Sequence, residues 1–182
     1  MRKMVLVLAV LALSLAACKR NYFGNELVEA PAALTLAFAD AKWDGKTVPA
    51  DEVCKPYGAK NPMSPALQVA GIPAGADTLI VEFNDLTYTP LSTGGGHGAF
   101  SLAIPSGASS MTVPSVPAET TQLPAGITQV KLHGGGVKGL GAGAYLPPCS
   151  GGRGNLYQAR VHAVDSATHR VLGQGEIKLG RY

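Results

Sequence analysis

The chain of 182 residues is long enough for one domain with a sizeable core, and it combines a charged fraction of 15% with 23 glycines and 13 prolines. Frequent glycine and proline without a long amphipathic period favours short strands joined by tight turns over a helical fold. The net charge of +3 is not gathered into a basic patch with interleaved aromatic residues, which excludes a nucleic-acid partner.

Residues 1–17 have the pattern of an export signal. Arg2 and Lys3 precede an apolar run from Met4 to Leu15, which is short for a membrane-spanning helix and is followed by small residues. The segment Leu-Ala-Ala-Cys that ends at Cys18 resembles the bacterial lipobox, in which the cysteine is acylated and becomes the first residue of the mature chain. The alternative is an ordinary signal with an incidental cysteine.

Lipidation of Cys18 would attach the protein to a membrane, because two or more acyl chains hold a protein stably in a lipid bilayer. The residue after it is Lys19 rather than aspartate, which by resemblance to known lipoproteins favours the outer over the inner membrane. We therefore expect a signal peptide over 1–17, a lipidated tether over 18–30 and a periplasm-facing domain over 31–182 in a bacterial cell envelope.

Cys54 and Cys149 remain once Cys18 is acylated. An exported compartment permits disulfides, and two remaining cysteines favour a bond between them. That bond would close a loop of about 95 residues and stabilise the fold by about 4–5 kcal/mol. Two separately buried thiols are the alternative. A metal site is disfavoured because neither cysteine has a second Cys or His nearby at ligand spacing, and no cofactor is indicated.

Alternation of apolar and polar residues predicts an all-β, β-rich domain. The predicted strands cover 33–39, 78–83, 99–104, 127–132, 157–163 and 175–182. The proline-rich segment 111–122 is predicted to cross the surface. The glycine-rich segment 132–154 is predicted to lack regular structure, either as a mobile lip or as a loop whose backbone closely approaches another group.

The loop between the second and third predicted strands holds one acid, Asp85, and one imidazole, His97, separated by a run that includes three glycines. Loops held by a rigid sheet commonly carry binding residues, and the two side chains could converge at one rim. Each also has a structural alternative. Asp85 could cap turn amides at the strand end, and His97 could be a buried side chain that bonds to the backbone and fixes the loop.

The order and spacing of several motifs resemble the phosphatidylethanolamine-binding protein family, in particular its bacterial Raf kinase inhibitor-like branch. The resemblance runs from about Leu34 to Tyr182. The motifs that carry it are DG-x-x-VP at 44–49, Cys54, SPAL at 64–67, GIPAGADTL at 71–79, Asp85, His97, YLPPC at 145–149 and Asn-Leu-Tyr at 155–157. The resemblance implies a β-sandwich with few short helices and a small cavity that accepts phosphate, acetate or a phospholipid head group.

The ligand-binding residues implied by the resemblance, together with its aromatic walls, are Asp85, Thr87, His97, Tyr145, Asn155 and Tyr157. Three departures from the family pattern fall near this site. Thr87 stands in place of a second acid, Asn155 in place of a second histidine, and Gly98 in place of a tryptophan. We expect a more neutral site than the family's, because one acceptor charge and one ionisable imidazole are missing.

Glycine runs at 94–96 and 134–136 could add backbone amides as an anion nest, and His133 could substitute for the missing second histidine. The leading expectation is a non-catalytic, membrane-anchored binding domain. The alternative is a structural or interaction lipoprotein with a degenerate pocket and a protein partner in the envelope. A hydrolase ranks last: His-Gly-Gly-Gly at 133–136 matches an esterase oxyanion loop, but the chain contains no G-x-S-x-G nucleophile elbow.

Overall fold

The computed structural model describes residues 30–182 and, before them, two short strands, β1 (Asn21–Phe23) and β2 (Glu26–Val28), which pair antiparallel. The chain divides into two units between Ala30 and Pro31, and each is described by itself. The predicted signal peptide and Cys18 lie outside the described residues, as does much of the predicted tether.

The second unit consists of strands and short 3-10 turns. Its strands are β3 (Ala32–Ala33), β4 (Thr35–Phe38), β5 (Leu67–Ala70), β6 (Thr78–Asp85), β7 (Ala99–Ala103), β8 (Ser110–Val113), β9 (Ile127–Lys131), β10 (Leu156–Asp165) and β11 (Arg170–Arg181). The 3-10 turns cover Ala50–Glu52, Lys55–Tyr57 and Thr89–Leu91. Within the described ranges no helix is long and apolar enough to cross a membrane.

The strands form a six-stranded sheet in the order β3-β11-β10-β6-β7-β9 and a three-stranded sheet in the order β4-β5-β8. Alternate residues of the central strands face inward, so that Leu79, Val81 and Phe83 are buried together with Leu67 and Val69 of the smaller sheet. One core shared by two sheets is a β-sandwich, and the predicted fold class is confirmed.

The longer predicted strands all occur, with shifted ends. The segment 111–122, predicted to cross the surface, is different: it begins as β8, whose Val113 is fully buried, and continues past the equally buried Val116. This stretch runs beside Ser64, whose hydroxyl accepts a hydrogen bond from the Val116 amide at 3.0 Å. The prediction was wrong for this part of the segment. Prolines at 114 and 117 suggested a surface loop, but Val113 and Val116 beside them are buried.

The predicted disulfide is present and joins Cys54 to Cys149 with their Cα atoms 5.2 Å apart, across 95 residues of sequence. The Cys54 amide donates a hydrogen bond to the Pro148 carbonyl oxygen at 3.0 Å. The buried carboxylate of Glu119 accepts a second one from the Lys55 amide at 2.8 Å. The disulfide therefore fixes residues around 149 against an early turn of the chain, next to the ends of β6 and β10.

Candidate functional site

A cavity of about 350 Å³ opens where β6 ends and β10 begins. Its wall comes from segments that are far apart in sequence but are brought together by the antiparallel pairing of these two strands, in which Asp85 lies opposite Tyr157. The lining residues are Asp85, Tyr88, Leu91, His97, Gly135, Gly136, Val137, Leu146, Cys149, Ser150, Arg153, Asn155 and Tyr157.

Asp85 is the last residue of β6, and only 3% of it is exposed. One carboxylate oxygen, Oδ1, accepts hydrogen bonds from the amides of Thr87 at 2.9 Å and Tyr88 at 3.1 Å. The other, Oδ2, accepts a hydrogen bond from the Asn155 side-chain amide at 2.6 Å. Asp85 thus caps the turn after β6, as the structural alternative proposed, and also lines the cavity.

His97 lies in a tight return of the chain onto β6. Its amide donates to the Phe83 carbonyl oxygen at 2.8 Å, and its ring Nδ1 lies 3.0 Å from the Leu146 carbonyl oxygen. A carbonyl oxygen can only accept, so Nδ1 carries the proton of the neutral ring. Burial lowers the pKa of His97, which keeps the ring neutral near pH 7.

The depressed pKa of His97 predicts a pH-dependent stability. Because the unfolded chain binds this proton more readily, the contribution is complete above the unfolded value of about 6.5 and is lost as pH falls toward the folded-state pKa. We expect the free energy of unfolding in urea to fall between about pH 7.5 and 5.5 more steeply for the wild type than for His97→Asn, whose amide can still donate to Leu146.

The control for this measurement is His169→Asn, in the exposed turn between β10 and β11. His169 has a positive φ of 57°, a conformation that asparagine also tolerates. Its pH dependence should match that of the wild type. Parallel pH profiles for the wild type and His97→Asn would contradict the assignment.

Tyr157 stands between the acid and the imidazole. Its ring packs edge-on against His97 with centroids 5.3 Å apart, and its hydroxyl oxygen accepts a hydrogen bond from the Cys149 amide at 3.2 Å. Burial raises the pKa of Tyr157 to about 12, and the negative charge of Asp85 acts in the same direction. The hydroxyl therefore keeps its proton at neutral pH and can donate it to the Asp85 carboxylate or to a ligand.

Two of the six predicted ligand-binding residues, Thr87 and Tyr145, do not line the cavity. The Thr87 hydroxyl accepts a hydrogen bond from the Leu156 amide at 2.9 Å and ties the turn to β10. Tyr145, expected as a wall, is fully buried and packs edge-on against Phe83 with centroids 4.5 Å apart. Side chains of an extended segment alternate in direction, so Tyr145 packs in the core and its neighbour Leu146 lines the cavity.

His133 was considered as a second site imidazole, and its contacts are structural instead. Its Nε2 lies 2.7 Å from the Gly141 carbonyl oxygen, and its Nδ1 accepts a hydrogen bond from the Gly135 amide at 3.2 Å. With both ring nitrogens engaged inside the glycine-rich loop, His133 does not replace the missing histidine.

Four of the six amides in the expected anion nest, those of Gly95, Gly96, Gly134 and Gly135, donate to the protein's own atoms. The amides of Gly95 and Gly96 donate to Oδ1 of buried Asn84 at 3.0 and 3.2 Å, and the Gly134 amide donates to the Gly96 carbonyl oxygen at 3.0 Å. These amides shape the loops rather than receive a ligand. The sequence reasoning overlooked Asn84, although an amide side chain directly before Asp85 on a strand was visible.

Sequence reasoning also overlooked Arg153, the cation that lines the cavity. It is exposed, and within residues 30–182 its guanidinium has no hydrogen-bond or ion-pair partner. The signal was its position two residues before Asn155. Leu91, Val137 and Leu146 supply apolar wall, so the cavity has a polar floor and a partly apolar side. Within the same residues, no group of three metal-ligating side chains occurs.

Comparison with known proteins gives a likeness of fold. No family model matches the chain, and no curated protein matches it. The crystal structure of Escherichia coli YbcL, described as a new member of the mammalian PEBP family, is similar over 82% of this chain and 97% of that chain, with a TM-score of 0.52 and 21% identity. The two chains share a fold. A phosphatidylethanolamine-binding protein homolog of Chlamydia trachomatis, CT736, described as putative, covers the same shares at 17% identity and a TM-score of 0.47.

Proposed function

We propose that this chain is a membrane-anchored, non-catalytic binding domain whose cavity takes a small anion of the phosphate-head-group type. One observation carries the proposal. Asp85, His97, Asn155 and Tyr157 line a single cavity together with Arg153, which has no partner side chain among residues 30–182. Convergent polar groups in an otherwise apolar hollow are the usual form of a small-molecule site.

The size and charge of the cavity fit a head group with an attached apolar part. A volume of about 350 Å³ is larger than an inorganic oxyanion needs and lies at the low end of ligand pockets. Arg153 supplies the positive charge that an anion requires, in a fork geometry suited to phosphate. Tyr88, Leu91 and Val137 offer apolar surface beside it.

The non-catalytic assignment rests on the state of the nucleophile-type side chains in the wall. Cys149 is held in the disulfide, and the Ser150 hydroxyl donates to the Tyr182 carbonyl oxygen. Neither the disulfide sulfur nor the engaged Ser150 hydroxyl is therefore free to act as a nucleophile that the Nε2 lone pair of His97 could activate.

Membrane attachment through acylated Cys18, at the outer membrane and facing the periplasm, completes the proposal. The Cys54–Cys149 disulfide supports it, because structural disulfides persist in exported compartments. Cell fractionation tests the anchor: the wild type should pellet with membranes and Cys18→Ser should not. Equal recovery of both chains in the soluble fraction would contradict it.

Binding is tested by calorimetric titration of the full-length chain with inorganic phosphate. We expect Arg153→Gln to weaken binding about tenfold or more, because it removes a charge-assisted contact. Arg170→Gln is the matched control, since Arg170 is an exposed arginine at the start of β11 and does not line the cavity. Equal phosphate affinities of the two variants would show that Arg153 does not contribute to binding.

A second candidate function is a protein-interaction lipoprotein with a degenerate pocket. The observation that favours it is the Asp85–Asn155 hydrogen bond of 2.6 Å, which occupies one acceptor position of the acid inside the protein. Phosphate binding that is lost in Arg153→Gln would exclude this alternative as the sole role of the cavity.

A further inference from the structure

The hydrogen-bond inventory of Asp85 leaves one acceptor position unused. A carboxylate has about four lone-pair positions, two on each oxygen. Two are used on Oδ1 by the amides of Thr87 and Tyr88, and one is used on Oδ2 by Asn155. Asp85 lines the cavity and is 3% exposed, so the remaining position is open to a ligand, and the neighbouring Tyr157 hydroxyl is the protein donor that competes for it.

His97 adds a second acceptor to the same floor. Its Nδ1–H is committed to the Leu146 carbonyl oxygen at 3.0 Å, so Nε2 holds the lone pair of the neutral ring. Burial lowers the pKa of His97, and the ring therefore does not become a second cation at neutral pH. The floor thus differs from an ordinary anion site, which presents donors alone.

The donors in the cavity include the Arg153 guanidinium and the Tyr157 hydroxyl, whose oxygen already accepts from the Cys149 amide. The Tyr88 hydroxyl and the second N–H of the Asn155 side-chain amide add to them. An oxyanion without a proton would accept hydrogen bonds from these donors. One of its negatively charged oxygens would, however, face the Asp85 carboxylate with no hydrogen between them. In a buried site, two like charges in contact without a shared proton are strongly unfavourable. An oxyanion with one acidic hydrogen meets both requirements, because its P–O–H group can donate to the carboxylate.

We propose that the cavity selects oxyanions that carry an acid proton, such as inorganic phosphate or a singly ionised phosphomonoester, and rejects sulfate and phosphodiesters, which carry none. This inference rests on the proposed anion site and narrows its ligand. Phosphomonoesters have a second pKa of about 6, so an ester bound in this way leaves as pH rises above that value. The mechanism requires proton sharing and no covalent step.

The test is calorimetric titration of the purified full-length chain with four probes at about pH 6: inorganic phosphate, sulfate, methyl phosphate and dimethyl phosphate. Phosphate and methyl phosphate should bind about 100-fold or more tightly than sulfate and dimethyl phosphate, since a buried acceptor that loses its donor penalises the wrong ligand heavily. At about pH 8, methyl phosphate should weaken markedly while inorganic phosphate, which still carries a proton, should not.

Asp85→Asn isolates the carboxylate. Its side-chain oxygen can still accept from the Thr87 and Tyr88 amides, its amide can donate to a ligand, and Asn155 can present its own oxygen after a flip. We expect the preference for phosphate over sulfate to fall below about tenfold in this variant. Asp51→Asn, which alters a largely exposed acid away from the cavity, should keep the wild-type preference.

The outcomes separate the two proposals. Wild-type protein that binds sulfate or dimethyl phosphate within about tenfold of phosphate overturns the selectivity while the anion site stands. Failure of all four probes to bind overturns the proposed function and this inference with it. If Asp85→Asn does not fold, the four-probe comparison on the wild type still decides the matter.

Discussion

Replacing both Cys54 and Cys149 with alanine is expected to lower the free energy of unfolding by about 4–5 kcal/mol, the largest loss we foresee from any change to this chain. The reason is the 95-residue separation that the bond closes, since a longer loop leaves the unfolded chain with more entropy to regain. Denaturant unfolding of the two chains under non-reducing conditions measures the difference.

The control for the disulfide experiment is a reductant. Reduction should destabilise the wild type by a similar amount and should leave the double-alanine variant unchanged. Because Cys149 lines the cavity, the variant should also bind phosphate more weakly. A loss of stability below about 1 kcal/mol would show that the bond contributes little to holding residues 145–150 in place.

Gly98→Ala is expected to cost about 2–5 kcal/mol, because it combines a left-handed backbone with a steric overlap. Gly98 has a φ of 97°, and a Cβ there would lie 3.0 Å from the Tyr145 amide nitrogen and closer still to the Ala144 carbonyl oxygen. The backbone of Ala144 and Tyr145 occupies the space that a side chain at position 98 would need.

Gly107→Ala separates the two causes. Gly107 also has a positive φ, of 74°, but no described atom lies within 4 Å of a Cβ built on it. It should therefore lose only the conformational part, about 1–2 kcal/mol. Thermal or urea unfolding of both variants measures the contrast, and a Gly98→Ala chain no less stable than Gly107→Ala would mean that the loop can give way.

The strands that position the site could be predicted because their side chains alternate over many residues. In β6, Leu79, Val81 and Phe83 all point to one core, and β10 has the same period. Asp85 and His97, at the strand ends that bracket one loop, were therefore placed close together by sequence reasoning, and the structure puts both on one cavity.

The short strands β5 and β8 could not be predicted in the same way. Each has four residues, too few for a period to stand out, and prolines flank both in sequence. Their inward residues, such as Val69 and Val113, are buried because the other sheet covers them, which is a tertiary effect. The local sequence pattern of a strand does not reveal whether another sheet will cover it.

The details of the site depended on contacts that composition does not reveal. Tyr145 and Leu146 are adjacent and both apolar, and only the path of the backbone decides which of them faces the core. Arg153 lies in a glycine-rich segment without any period, so the sequence alone does not show that it lines the same cavity as Asp85 and Tyr157.

The most direct test of the cavity as a ligand site is amide chemical-shift mapping of the labelled full-length chain during titration with inorganic phosphate. We expect the perturbed amides to cluster at Tyr88, Gly135, Gly136, Ser150 and Asn155, which line the cavity. No perturbation there at about 10 mM phosphate, or shifts confined to basic residues on other surfaces, would contradict the account.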